Sequence, residues 1–246
     1  MTNSLFAVLK KLKPFWLTLR PTCLLCLTTI KNSTLAICDD CRKDLPAIIQ
    51  GCQYCGLPIP HQGICGQCLQ QPPSYHKIIA PYRYDFPIAQ LIAKFKYQQQ
   101  WPMGYLLASL LIEYLQQNYN NSLAKPQYLI PVPQSKQRLR QRGFNQAEML
   151  AKWLGKNLTI PTQYHLLTRV IDTPPQQQLS AKKRLQNLKN AFNINPSINI
   201  NNAHLAIVDD VVTTGATANI LTKILYKAGA TRVDIYTIAR TPQTFK

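Results

Sequence analysis

The apolar positions of this chain fall into short blocks whose spacing switches between period two and period three to four, the pattern of strands alternating with helices. LAIVDDVV (205–212) is a mostly apolar run with β-branched residues and reads as a buried strand, yet it carries two adjacent acids, Asp209 and Asp210. Beyond it, Ala218, Leu221, Ile224, Leu225 and Ala228 recur at helical spacing, and Gly229 stands where a helix stop belongs. RVDIYTIAR (232–240) reads as a second apolar strand, expected beside the first. Earlier in the chain, PIAQLIAKFKYQ (87–98) and MGYLLASLLIEYLQQ (103–117) read as amphipathic helices, and Asn118 to Lys125 as a polar break. Tyr128 to Ile130 is a short buried strand that runs into Pro131, Val132 and Pro133, and a helix is expected from about Asn145. In IIAPYRYDF (78–86), Tyr82, Tyr84 and Phe86 alternate with polar residues, which predicts a strand with one aromatic face. That face can pack in a sheet or stack bases, packing being the commoner use. Helical crossovers between short buried strands argue for a parallel sheet.

The acids preceding Thr213, Thr214, Gly215, Ala216 and Thr217 change this picture from architecture to chemistry. The threonines fall at a helix N-terminus, where free backbone N–H groups and the helix dipole attract an anion. Asp209 and Asp210 can accept hydrogen bonds from sugar hydroxyls, so the combination suggests a ribose 5-phosphate. Ordinary capping threonines would explain the turn but not the two acids.

Composition divides the chain. All eight cysteines of the 246 residues lie between Cys23 and Cys68, as four CxxC pairs: Cys23 with Cys26, Cys38 with Cys41, Cys52 with Cys55, and Cys65 with Cys68. A disulfide module needs a secreted context. The N-terminal MTNSLFAVLKKLKPFWLTLRP, interrupted by Lys10, Lys11, Lys13 and Pro14, reads neither as a signal peptide nor as a transmembrane segment. A cytoplasmic location with reduced thiols is therefore expected. There, paired CxxC knuckles suit two structural zinc ions, each held by four thiolates with no open position for substrate. A redox dithiol explains any single pair but not four in so short a span. The spacing permits consecutive or crossed sites, of which consecutive sites, a double zinc ribbon, are favoured. The expected organisation is a tail or amphipathic helix over 1–20, a zinc-ribbon domain over 21–70, a proline-bearing linker over 71–77 and an α/β domain over 78–246.

The formal charge of +18 implies an anionic partner, although a basic surface also serves solubility. Basic residues cluster in SKQRLRQR (135–142) and AKKRLQNLK (181–189). The first reads as a basic loop containing Lys136, Arg138, Arg140 and Arg142, and guanidinium forks suit phosphate oxygens. The second reads as a helix capped by Ser180. His76 and His165 stand without a recognisable partner, and no general base is evident.

Residues 205–218 resemble the 5-phosphoribosyl 1-pyrophosphate (PRPP) signature of type I phosphoribosyltransferases, with Ala206 smaller than usual in the strand. Together with PVPQSKQRLRQRGFNQAE (131–148), TPPQQQLSAKKRLQNLKNAF (173–192) and the four CxxC pairs, the chain resembles the ComF family of competence-associated, phosphoribosyltransferase-like proteins from about Cys23 to Arg240. The resemblance implies a type I phosphoribosyltransferase-like parallel sheet flanked by helices. It implies PRPP held by Asp209, Asp210 and Thr213 to Thr217, magnesium bound with it, and pyrophosphate met by Val132 and Pro133 with Arg138 and Arg142. Arg184 and Asn187 align with positions usual in the family, in phosphate contact or loop anchoring. It also implies a part in DNA uptake, with single-stranded DNA and DNA-uptake proteins or a helicase as partners. Three functions compete: PRPP binding in a DNA-handling competence factor, phosphoribosyl transfer to an acceptor without a direct DNA role, and a zinc-stapled scaffold with a vestigial loop. The intact acid pair speaks against the third.

Overall fold

The computed structural model describes residues 22–30, 34–170 and 191–242. The expected tail over 1–20, the basic helix over 181–189, Ser180, Arg184 and Asn187 lie outside them. The described chain forms two compact units, divided between Asp44 and Leu45. That division falls inside the span 21–70, which composition marks as one Cys-rich region. The unit ending at Asp44 carries one short helix, α1 (Asp39–Lys43), with acids in its first turn and basic residues in its last, complementing the helix dipole.

The unit from Leu45 to Lys246 begins with α2 (Gly66–Gln70) and the short strands β1 (Lys77–Ile79) and β2 (Tyr82–Arg83). Next come α3 (Ile88–Gln98), α4 (Trp101–Asn120), β3 (Tyr128–Pro131), α5 (Lys136–Arg142) and α6 (Gln146–Leu158). The antiparallel pair β4 (Leu167–Arg169) and β5 (Phe192–Ile194), then β6 (His204–Val212), α7 (Ala216–Lys227) and β7 (Arg232–Arg240), complete it. The main sheet runs β1-β7-β6-β3, with β2 also on β7, and every pairing in it is parallel. A parallel sheet flanked by helices, with a Cys-rich region before it, is the fold class expected from the sequence.

Alternation along the strands gives the sheet two buried faces. Leu205 and Ile207 of β6 and Val233 and Ile235 of β7 share a core with Leu221 and Leu225 of α7. Ala206, Val208, Tyr236 and Ile238 are equally buried on the other face, where α4 and α6 contact the central strands. Gly104 of α4 admits Phe95 of α3 at a distance no side chain would permit: an added Cβ would stand 2.4 Å from its ring.

Two local expectations are corrected. Residues 136–142, read as a basic loop, form α5: Ser135 accepts from the Arg138 N–H at the start, and Gly143 ends it at φ +77°. The aromatic strand is broken into β1 and β2 around Ala80 and Pro81, and Tyr84 and Phe86 are exposed rather than packed in the sheet.

Candidate functional site

The site lies at the carboxyl end of β6, where ligands of open parallel sheets bind. Gly215, at φ +77°, turns the chain into α7, and the Thr214 hydroxyl accepts from the Ala216 N–H at 3.3 Å. Val132, Asp209, Thr213, Thr214, Gly215, Ala216 and Thr217 line one pocket, so the expected phosphate turn, one of the two acids and one expected pyrophosphate contact are brought together.

Asp210 is directed elsewhere. Its carboxylate is buried and pairs with Lys96 of α3 at 2.8 Å. Sequence reasoning missed Lys96, since nothing local marks a helical lysine as the partner of an acid more than a hundred positions away. Lys96 also lines a second pocket with Tyr97, Gln99, Arg138, Gln141 and Arg142. Arg142 donates to Gln146 Oε1 at 3.1 Å and stacks over the Tyr97 ring, 5.1 Å from its centroid. Of the expected pyrophosphate contacts, Val132 uses its N–H on the Val208 carbonyl at 3.0 Å, and Pro133 has no N–H to offer. The cationic side chains grouped here are those of Arg138, Arg142 and Lys96, whereas the main chain of 132–133 offers no free N–H.

Withdrawal of the Asp209 carboxyl from water, and then the neighbouring charge of Asp210, push its pKa up to about 7, against the opposing pull of Lys96, the Asp210 N–H and Arg138. The folded protein thus holds a proton that the unfolded chain, with an ordinary value of 3.8, releases earlier. This stabilisation is complete below the unfolded value and is lost as the pH rises through about 7. The difference in urea stability between the parent and Asp209→Asn, which cannot titrate, is expected to shift against the parent from about pH 5 to about pH 8. A flat difference across that interval would show that Asp209 titrates like an ordinary carboxylate.

The cysteines form two consecutive clusters, Cys23, Cys26, Cys38 and Cys41, then Cys52, Cys55, Cys65 and Cys68, each with its four sulfurs within 4.8 Å of one another. The crossed arrangement is thereby excluded. Four thiols so gathered fit a tetrahedral zinc ion and leave no position open. Cys65 N–H donates to Cys52 Sγ at 3.3 Å, an orientation that favours thiolate. All four cysteines of the second cluster are buried, whereas Cys26 of the first is exposed.

A double zinc ribbon domain model matches residues 17–69. A competence protein F of Haemophilus influenzae is 36% identical over 221 residues, covering 89% of this chain and 96% of that protein. A DNA utilization protein YhgH of Salmonella typhimurium is 34% identical over 227 residues, covering 92% and 99%. Among solved structures, a purine phosphoribosyltransferase from Pyrococcus horikoshii matches 57% of this chain and 91% of its own at 17% identity and a TM-score of 0.35. The fold and cysteine clusters define a parallel α/β protein carrying a double zinc ribbon. The chain belongs to the ComF family of competence proteins. Among the described residues, no helix is long and apolar enough to cross a membrane.

Proposed function

We propose that this chain binds PRPP with magnesium and acts in DNA uptake during natural transformation, handling incoming single-stranded DNA in the cytoplasm. The observation that carries the PRPP reading is the joint placement of Asp209 and the Thr213–Thr217 turn in one pocket, with Asp210 and Lys96 beside it. The turn N–H groups and threonine hydroxyls hold the 5-phosphate, and Asp209 accepts from the ribose hydroxyls, with Asp210 beside it held by Lys96. Magnesium, which prefers substrate phosphates and water to an all-protein cage, offsets charge on the pyrophosphate. Arg138, Arg142 and Lys96 supply the protein's own positive charge to that end. The DNA reading draws on the relatives named for competence and DNA utilization. Exposed Phe86, Tyr97 and Tyr105 and the basic α5 fit the stacking and charge that single strands need.

The test is calorimetric titration of the zinc-loaded chain with magnesium and PRPP. Asp209→Ala/Asp210→Ala is expected to lower affinity by roughly 100-fold or more, since hydrogen bonds to charged groups contribute about 1.5–3 kcal/mol each. A single-stranded oligonucleotide is expected to shift the wild-type affinity. Absence of binding by the folded parent would overturn the reading.

Transfer of the phosphoribosyl group to an acceptor, without a DNA role, is a second reading. It is favoured by the placement of Asp209, its carboxyl pushed up to about 7 by burial and the neighbouring Asp210, in one pocket with the Thr213–Thr217 turn. Acceptor-dependent release of pyrophosphate would establish it.

A further inference from the structure

Arg240, the last residue of β7, is only 5% exposed. Its Nε donates to the Cys55 carbonyl at 2.9 Å, and one terminal nitrogen donates to the carbonyls of Val212 at 3.3 Å, Thr241 at 3.0 Å and Thr213. A buried guanidinium is costly unless its donors are used, and here Nε and one terminal nitrogen meet main-chain oxygens from separate parts of the chain. One is the knuckle of the second cysteine cluster, and another is the start of the phosphate turn.

We propose that Arg240 is a positioning residue that joins the second four-cysteine site and the phosphate turn into one cooperative unit, so that zinc on the cysteines and a phosphate monoester on the turn strengthen each other's binding. The proposal rests on the PRPP reading for the identity of the turn's ligand class. In a planar trans peptide the N–H points opposite to the carbonyl. Drawing the Val212 and Thr213 carbonyls toward Arg240 therefore turns the N–H groups of Thr213 and Thr214 away from it. Both threonines are exposed and line the pocket with Asp209, where an anion can reach them.

Two further contacts hold the same pieces together. Tyr75 is buried in one core cluster with Cys52, Cys55, Cys65 and Cys68. Its hydroxyl lies 3.1 Å from where a Cβ on Gly215 would stand, so it abuts the turn from beneath. The Asn219 side chain on α7 accepts from the Ser74 N–H at 2.8 Å, tying the segment after the second cluster to the helix that the turn begins. Zinc fixes the knuckle and hence the Cys55 carbonyl; that carbonyl fixes Arg240, and Arg240 fixes the turn. Linkage makes the effect reciprocal.

The test follows zinc release from the full zinc-loaded chain to a chromophoric chelator, with and without ribose 5-phosphate. Loss of one release phase in Cys23→Ser identifies the phase of the first cluster. Saturating ribose 5-phosphate is expected to slow the second cluster's phase on the order of 10-fold, within the usual range of coupling between sites. Arg240→Lys, which keeps the charge but loses the fork, is expected to release zinc faster and to lose most of the ligand effect. Tyr75→Phe provides a milder variant should Arg240→Lys fail to fold, with a partial loss of coupling expected. Calorimetry with ribose 5-phosphate on the parent separates the two ways of failing. Binding without any change in zinc release overturns the coupling and leaves the PRPP reading standing. No binding overturns the reading and the coupling with it.

Discussion

Replacing Cys52 and Cys55 by serine is expected to abolish the cooperative unfolding transition of the Leu45–Lys246 unit, while replacing Cys23 and Cys26 leaves that transition in place. The asymmetry follows from where the clusters sit. Cys52, Cys55, Cys65 and Cys68 are buried in one core with Leu57, Ile78, Leu205, Ile207, Val233 and Ile235, so the second cluster is part of the sheet domain's interior. The Tyr54 carbonyl accepts from the Ile78 N–H at 2.7 Å, joining the knuckle to the strand at the sheet edge. Structural zinc contributes about 10–16 kcal/mol in small zinc-finger peptides. Whole domains are stable by only about 5–15 kcal/mol. Loss of this metal therefore removes stability comparable to the total. The first cluster lies in the unit ending at Asp44, and its cysteines are not members of this core. Thermal melting followed by near-ultraviolet circular dichroism would read the difference. Survival of the transition after replacement of Cys52 and Cys55 would show that the second cluster is not integral to the domain.

Lys96→Met is expected to destabilise the folded chain by roughly 3 kcal/mol at pH 8, the low end of the cost of breaking a buried ion pair. Lys96 and Asp210 side chains retain 18% and 10% exposure, which places the effect at that end. Methionine preserves much of the packing, so the loss reports charge rather than a cavity. Without the ammonium, the charge of Asp210 acts on Asp209 with less compensation, and the Asp209 carboxyl holds its proton to higher pH. The penalty should therefore shrink as the pH falls toward about 5, where protonation relieves the repulsion. Urea denaturation at the two pH values measures this. A penalty independent of pH would mean that Lys96 acts by packing and not by holding the acid pair.

The parts of the site that were legible in the sequence are those made within a single stretch of chain. β6, the Asp209–Asp210 pair, the threonine turn and α7 follow one another over 204–227, and each is specified by near neighbours: a short run of apolar residues, small hydroxyls and a glycine at the turn. The CxxC pairs are equally local, because each knuckle needs only a short loop to bring two sulfurs together. The α5 helix is not legible in the sequence even though Ser135 and Gly143 bound it. None of its residues is buried, so no apolar period marks it, and its caps alone distinguish it from a basic loop.

Lys96 and Arg240 were not legible for a different reason. Lys96 reaches Asp210 only because α3 lies against the end of β6, and Arg240 reaches Cys55 across 185 positions of sequence. The sequence by itself determined the local character of this protein: paired thiols for zinc, a strand carrying two adjacent acids and a threonine turn at a helix start. The tertiary structure alone decided which cation answers those acids and that one cysteine cluster belongs to the core beneath the turn, because burial and ion pairing depend on which distant segments share a place in space.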